Sequence, residues 1–445
     1  MVSTLIGKQA LVIGAGMAGL TAAGALTHCF DHVAVVERDT LPSEPAHRIG
    51  TPQARHVHGL LISGQRALSE LFPGFELDLE RAGAVPLRAG LDVRVERPGY
   101  HPFPQRDLGW CGYAASRPLI ERTVRRRVES HASITLRQRC RVREVLASPD
   151  GAVVTGVRYD NEHGASETMT ADLVVDASGR GAPTLSLLQS IGRPLPEETT
   201  IGIDLSYATG IFAVPDDASH DWKGVMTFGE APGDSRGGLM LPLEGDRWMV
   251  TMGQRGDALP GDTEGFLAFA RALRTPTIYN AIRPARPLDG VARYGFPESV
   301  RRHFERLESF PRGLLPIGDA ICRFNPVYGQ GMSVAALEAC LVKRLLDREG
   351  DPLAGLGPAF FGEMQALLET PWSVATLDFA FPETRGKPPA DFAATLKFGA
   401  ALTRLAAEDP AVHRLTIEVQ HLLKSRSVYR DPDLMQLVFA KMAEV

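Results

Sequence analysis

The stretch Gln9-Ala10-Leu11-Val12-Ile13-Gly14-Ala15-Gly16-Met17-Ala18-Gly19-Leu20-Thr21-Ala22-Ala23-Gly24-Ala25-Leu26 decides the fold. Ala10 to Ile13 form a continuous apolar run, the pattern of a strand buried on both faces in a parallel sheet. The spacing Gly14-x-Gly16-x-x-Gly19 then permits a tight turn, close approach of backbone N–H groups to a pyrophosphate, and tight packing of the following helix. That helix is built of small residues, so it can lie close on the sheet. A second buried strand, His32-Val33-Ala34-Val35-Val36, ends at Glu37, 18 positions past Gly19. An acid there can accept hydrogen bonds from ribose hydroxyls. Glycine spacing alone would fit mere helix packing, but strand, turn, helix and acid together specify a dinucleotide-binding βαβ unit.

Farther along, residues 116 to 130 read as an amphipathic helix, and Arg141–Leu146, Ala152–Arg158 and Glu167–Ala171 as a three-stranded meander turning at Pro149-Asp150-Gly151. Leu173-Val174-Val175-Asp176 is another buried strand. From about 200 to 300 the texture changes to alternation, with Leu205, Tyr207, Thr209 and Ile211 on one face. A hairpin around Glu244-Gly245-Asp246 carries Trp248, Val250 and Met252 on one face. Leu314-Leu315-Pro316-Ile317 restores a buried strand, and the chain from Ser333 is mostly helical. Gly386-Lys387-Pro388-Pro389 is the clearest linker.

Net charge near -5 and pI near 6.2 argue against nucleic acid or an anionic membrane as partner. Arg125-Arg126-Arg127 reads as a solvated helix face. The 48 basic residues divide into 41 Arg and 7 Lys, with no lysine between Lys8 and Lys223. A phosphate-binding Gly-Lys-Ser/Thr loop is thereby excluded. Five cysteines, with no C-x-x-C pair, read as reduced thiols. There is neither an apolar run long enough for an anchor nor a signal-peptide pattern, so a soluble, cytoplasmic protein is expected.

A second motif comprises Gly313-Leu314-Leu315-Pro316-Ile317-Gly318-Asp319-Ala320 and Asn325-Pro326-Val327-Tyr328-Gly329-Gln330-Gly331-Met332. A carboxylate at a strand end can hold a ribityl hydroxyl, and Gly329 and Gly331 let loop amides approach a planar, electron-rich ring at a helix N-terminus. Alone, this would be an ordinary strand-loop-helix corner. Paired with the first motif it points to FAD.

These two motifs, with Arg48-Ile49-Gly50-Thr51-Pro52-Gln53-Ala54-Arg55-His56-Val57-His58-Gly59-Leu60-Leu61, Ala115-Ser116-Arg117-Pro118-Leu119 and Asp172–Gly181, resemble the single-component FAD-dependent monooxygenase superfamily over nearly the whole chain. Within it the sequence is most similar to bacterial FAD-dependent epoxidases of polyether biosynthesis, relatives of squalene epoxidase. The resemblance implies an α/β fold. A Rossmann-like FAD-binding lobe would comprise 1–75, 115–185 and 305–345, and an antiparallel-sheet substrate lobe 76–114 and 186–304. A helical C-terminal region would comprise 346–445. Residues 76 to 114 would line the substrate entrance or form a plain surface loop.

Carried over by position, Gly14, Gly16, Met17, Ala18, Gly19 and Glu37 would bind the ADP half of FAD, with Arg38 beside the adenosine. Arg48 and Arg117 would lie near the phosphates or ribityl chain, and Val142 would offer backbone contacts to adenine. Asp319 would hold the ribityl or pyrophosphate, and Pro326, Gly329, Gly331 and Met332 would shape the loop along the isoalloxazine. For a lone arginine the plainer expectation is a surface ion pair.

Asp176-Ala177-Ser178-Gly179 departs from the Asp-Gly of the hydroxylases. Either NAD(P)H therefore docks transiently or a separate flavin reductase supplies electrons. His56 and His58 could share one side of a strand, but without a third ligand nearby no metal is expected.

The implied activity inserts one oxygen atom of O2, through a flavin C4a-hydroperoxide, into an alkene or electron-rich ring of a lipophilic secondary metabolite. It requires no protein nucleophile, so no catalytic side chain is assigned. Leu205, Tyr207, Leu239, Leu241, Trp248 and Val250 would form an apolar wall over the flavin, or core against the C-terminal helices. A halogenase would need a lysine within the N-terminal half, where none lies between Lys8 and Lys223, and would usually carry a Trp-x-Trp motif, which is absent. A flavin-dependent prenyl-type reductase and a non-catalytic flavin-binding protein are the alternatives.

Overall fold

The computed structural model describes residues 5–443. Its centre is a five-stranded, wholly parallel sheet in the order Leu314–Pro316, Leu173–Asp176, Gly7–Ile13, Phe30–Val36, Ile134–Arg137. Side chains alternate across a strand, and both faces here are covered. Ala10, Val12, Val33, Val35 and Val175 pack toward helix Met17–Leu26, which in turn meets helix Gly331–Leu346. Leu11, Ile13, Val36 and Val174 pack toward the meander Arg141–Ala147, Val154–Asp160, Ser166–Thr170. Burial on both faces explains why the sequence runs are continuously apolar, each such side chain contributing about 1.5–3 kcal/mol.

A seven-stranded sheet forms the second layer, in the order Cys322–Arg323, Ala292–Arg302, Glu198–Ala213, Arg247–Arg255, Gly237–Leu243, Gly224–Thr227, Val93–Glu96. Its edge strand Val93–Glu96 pairs in parallel, so the sheet is not purely antiparallel. This corrects the surface-loop expectation for residues 76 to 114. The segment contains helix Phe75–Arg81 and three strands, and Phe103 is buried against Leu402, Leu405 and Val438 of the C-terminal helices. Trp110 lies between the guanidinium groups of Arg66 and Arg414, 4.6 and 5.6 Å from its centroid.

The apolar wall also needs correction. Antiparallel register sets Tyr207 opposite Gly253, Thr209 opposite Thr251, and Leu239 opposite Thr251, so odd-numbered positions share one face. Trp248 and Val250 pair with Phe212 and Gly210 and occupy the other face, buried with Phe266, Ile278 and Ile282 of helices Thr263–Arg271 and Thr277–Ile282. The period of two is what separates them from Leu205, Tyr207, Leu239 and Leu241.

The C-terminal region runs as the 24-residue helix Pro352–Ala375, the 3-10 turn Thr376–Ala380, and helices Phe392–Glu408, Pro410–Gln420 and Pro432–Ala443. Among the described residues no helix is long and apolar enough to cross a membrane.

Candidate active site

The C-terminal ends of the parallel strands carry the glycine turns, as expected for an open α/β sheet. Gly14 has φ +99°, a region only glycine adopts easily. At Gly19 an added Cβ would sit 1.8 Å from the Gly14 carbonyl oxygen, whereas at Gly16 it would meet nothing within 4 Å. Gly19 therefore serves packing, and Gly16 borders open space. Helix Met17–Leu26 has no side-chain cap, which leaves its first-turn amides available to an anion. The Met17 side chain belongs to the core, so this residue and Ala18 offer the site backbone.

Glu37 is buried where strand Phe30–Val36 ends. It accepts the Ala15 amide on Oε2 at 2.7 Å and the Asp39 amide on Oε1 at 2.9 Å. Arg38 turns to solvent, its side chain 63% exposed. The Arg139 and Cys140 amides donate to the carbonyls of Asp39 and Glu37, which brings Val142 alongside this strand end.

Arg48 is no surface pair. Its side chain is 5% exposed and meets three carboxylates: Glu121 at 2.8 Å, Asp39 at 2.9 Å and Glu37 at 3.5 Å. Burial works to lower its pKa, but Glu121, Glu37 and Asp39 outweigh it and the pKa rises. Arg48 Nη2 also donates to the Ala15 carbonyl at 3.1 Å. Arg117, at the start of helix Arg117–Glu129, is buried as well and bonds Glu121 at 3.0 Å. Its Nε has no partner. Arg125 corrects the expectation of a solvated face: it is 2% exposed, flanked by Glu121 and Glu129, and donates to the Pro42 carbonyl. Glu121 was not singled out from the sequence, although its place four residues after Arg117 and four before Arg125 is the signal that could have found it. Asp39 gave no such signal.

Asp319 is exposed although it lies deep in the molecule, which makes it a cleft wall. Desolvation pushes its pKa up to about 6, against the opposing charges of Arg323, Arg117 and Arg302. Behind it Glu338 is fully buried, accepting the Gly318 amide on Oε2 at 2.5 Å while Oε1 has no partner. Burial raises Glu338 to about 8, so it is protonated at neutral pH. An acid whose pKa is higher folded than unfolded releases its proton on unfolding. Its contribution is full below the ordinary value of 4.5 and is lost as pH rises through about 8. Denaturant unfolding of the FAD-free chain should therefore show stability falling with pH across this window, by up to about 1.4 kcal/mol per unit. Glu338→Gln should flatten that slope. Asp319, facing cleft water, contributes less.

The loop Asn325–Gly331 leads into helix Gly331–Leu346, which also lacks a side-chain cap. Pro326 is exposed, Gly329 has φ +65° against Gly59, Gly331 borders open space and Met332 is buried. The segment His56–Leu61 runs between this loop and the large sheet. His56 Nδ1 lies 2.7 Å from Thr209 Oγ1, the Val57 amide donates to Thr251 Oγ1 at 2.9 Å, and the Leu61 amide donates to Ser333 Oγ. His58 Nδ1–H donates to the His56 carbonyl at 2.9 Å. Burial, then nearby Arg55, lowers His56 to about 4; burial, then Arg117, lowers His58 to about 3. Both are neutral at physiological pH. The His56 ring lies 6.0 Å from Tyr207 and 5.6 Å from Tyr294, an environment that spacing alone did not reveal.

Leu239 and Leu241 are half-buried on the face that meets this segment, where Val57, His58, Leu241 and Met249, among others, line a narrow crevice. Leu205 and Tyr207 are buried with Phe296 and Ala375. A different group, His28, Cys29 and Asp347, brings three potential ligand atoms within 4.8 Å of one another. His28 already bonds Asp347 at 2.9 Å, and burial raises the Cys29 thiol to about 11, so it retains its proton.

Two uncapped helix N-termini, glycines facing open space and a buried acid at the end of the second strand define a dinucleotide-binding α/β protein with a second sheet closing the site. No family model matches the chain. It is 35% identical over 360 residues to the Mycobacterium tuberculosis protein Rv3254, covering 78% of this chain and 74% of that protein. Squalene epoxidase 4 of Arabidopsis thaliana is 24% identical over 344 residues, covering 76% of this chain and 61% of that protein. Among solved structures, a flavoprotein/dehydrogenase from Cytophaga hutchinsonii superposes with a TM-score of 0.69 at 15% identity, covering 98% of this chain and 100% of that one. The flavin-dependent brominase Bmp2 superposes with a TM-score of 0.66 at 15% identity, covering 98% of both chains. At such identities the structural likeness concerns the fold. The chain thus belongs to one family with Rv3254 and shares the fold of these flavoproteins.

The residues fit the FAD that the sequence resemblance implies. The unpartnered Nε of buried Arg117 and the unpartnered Oε1 of buried Gln330 both lie on segments that frame the cleft.

Proposed function

We propose that the protein is an FAD-dependent monooxygenase that inserts one oxygen atom of O2 into an alkene or electron-rich ring of a lipophilic secondary metabolite. The observation carrying this reading is the half-buried apolar surface of Leu239 and Leu241 on the sheet face that meets segment His56–Leu61, whose Gly59 borders Gly329 of the loop Asn325–Gly331. Neutral His56, Thr209 and Tyr294 complete it. Such a surface suits a bulky apolar substrate and excludes water.

In this reading Gly14, Gly16, Met17, Ala18, Gly19 and Glu37 hold the ADP half of FAD, with the Val142 backbone beside the adenine. Arg117 and Asp319 face the phosphates and ribityl chain, and Pro326, Gly329, Gly331 and Met332 shape the ring's surroundings. Arg48 acts from behind, holding Glu37 and the Ala15 turn in place. Reduced FAD supplies the activation of O2 when bound. The chain orients the substrate over the ring, excludes water and surrounds the reacting atoms with neutral groups.

Lys223 supports oxygen insertion over halogenation: it bonds the Pro86 carbonyl and Asp92 at the sheet edge. Electrons would come from NAD(P)H docked transiently or from a separate flavin reductase. We place the protein in the cytoplasm, in keeping with its five free cysteines.

The test is turnover of reduced, FAD-loaded protein with isotopically labelled O2 and a panel of polyenes, terpenoids and phenols. One labelled oxygen atom in the product is expected. A product with two added hydrogens and no label would mark a prenyl-type reductase, and no product with any substrate would favour a non-catalytic flavin binder. A further expected result is that Asp319→Ala weakens FAD retention without unfolding the protein. Flavin occupancy after purification, read beside the far-UV spectrum, checks it.

A further inference from the structure

We propose that Asp378 is a positioning residue for the loop Asn325–Gly331, so that the C-terminal helical region sets how the flavin ring is held. The inference rests on the FAD assignment above. Asp378 lies in the 3-10 turn Thr376–Ala380, directly after helix Pro352–Ala375. Its carboxylate is buried and is approached by donors from two other parts of the fold. Arg255 Nη2, at the end of strand Arg247–Arg255, donates to Oδ1 at 2.5 Å. Asn325 Nδ2 spans both oxygens, at 3.2 and 3.1 Å, and the Tyr328 hydroxyl donates to Oδ1 at 3.2 Å.

The far side of the Asn325 amide is also engaged, since its Oδ1 accepts the Tyr207 hydroxyl at 3.2 Å and the Val327 amide at 3.1 Å. Arg255 is itself held, with Nη1 3.1 Å from Thr384 Oγ1 and its guanidinium 4.6 Å from the centroid of Phe381. A single buried carboxylate thus joins the C-terminal turn, the large sheet and the loop.

The loop needs such a clamp because apolar packing does not supply one. No residue of its 3-10 turn Pro326–Tyr328 is buried, and Val327 is 50% exposed. A buried ion pair adds little net stability over apolar packing of the same volume. What four directional hydrogen bonds to one carboxylate do provide is a defined loop geometry.

The experiment compares Asp378→Ala, Asp378→Asn and Tyr328→Phe with the wild type in three readouts. These are the FAD dissociation constant, the visible absorption and fluorescence of bound flavin, and the affinity for ADP, which probes the Gly14–Glu37 half alone. Asp378→Ala is expected to weaken FAD binding about tenfold or more and to shift the flavin bands, with ADP affinity unchanged within about twofold. Asp378→Asn should fall between Asp378→Ala and wild type, and Tyr328→Phe should shift the bands in the same direction by less.

Wild-type FAD affinity and spectra in all three variants would overturn the proposal. So would equal losses of FAD and ADP, the mark of a general folding defect. If Asp378→Ala does not fold, Tyr328→Phe decides: shifted bands support the clamp and unchanged bands overturn it. Wild-type protein that takes up no FAD would instead overturn the flavin assignment, and with it this inference.

Discussion

Gly19→Ala is expected to abolish stable FAD binding, lowering affinity at least about a hundredfold, and to destabilise the chain by about 3 kcal/mol. The cause is a collision between two backbones. An alanine Cβ would lie 1.8 Å from the Gly14 carbonyl oxygen and 2.9 Å from its carbon, with Val12 Cγ1 at 3.4 Å. To reach even 3.0 Å from that oxygen, helix Met17–Leu26 or the Gly14 turn must move about 1.2 Å. No side chain can rotate away to absorb this, since the obstacle is main chain. The helix would lift from a strand on which Leu20 and Ala23 are fully buried, and its first-turn amides would lose their aim at the pyrophosphate. Gly16→Ala is the control. Its Cβ meets nothing within 4 Å, so stability should hold while FAD binding weakens if the cofactor lies there. FAD titration and denaturant unfolding on the same preparations check both variants. Equal behaviour of the two would show that helix packing is not what Gly19 provides.

Arg48→Met should destabilise the protein by about 3–5 kcal/mol, because it leaves buried carboxylates without their counter-ion. Glu121 would lose a 2.8 Å partner and Asp39 one at 2.9 Å, and Glu37 would lose the charge 3.5 Å away. The tether from Arg48 Nη2 to the Ala15 carbonyl would also go, loosening the glycine turn itself. Arg117 and Arg125 still contact Glu121, which moves the expected loss toward the lower end of the range. Arg48→Lys keeps the charge but cannot reach Glu121, Asp39 and Ala15 together, and should fall between Arg48→Met and wild type. Urea unfolding measures these differences. A loss below about 1 kcal/mol for Arg48→Met would mean that the pairs behave as solvated surface pairs.

Both effects concern residues that the chain already marks, yet for reasons of different origin. The βαβ unit, the meander and the strand before Asp319 were legible because each depends on local order. An apolar run, a glycine spacing and an acid at a set distance are all encoded within about 30 residues. The alternation in residues 200 to 300 was legible too, since the period of two is a property of each strand. Which alternating residues share a face was not, because that depends on register between strands distant in sequence. Trp248 and Val250 fell on the opposite face from Tyr207 for that reason alone.

The charge cluster shows the same division. Arg48 and Arg117 could be singled out by motif, and Glu121 by its i+4 spacing. Their burial, and the presence of Asp39 and Glu37 around Arg48, arise only where the end of the second strand, the Arg48 segment and helix Arg117–Glu129 converge. Asp378 stands at the far end of that scale. Nothing around Thr376–Ala380 distinguishes its carboxylate from a solvated acid, and its partners Arg255 and Asn325 lie 123 and 53 residues away. Local pattern is enough to specify the parallel sheet with its glycine turns and terminal acid. Desolvation of charges, sharing of faces and clamping of the ring loop are set by contacts between distant segments, and those exist only once the chain has folded.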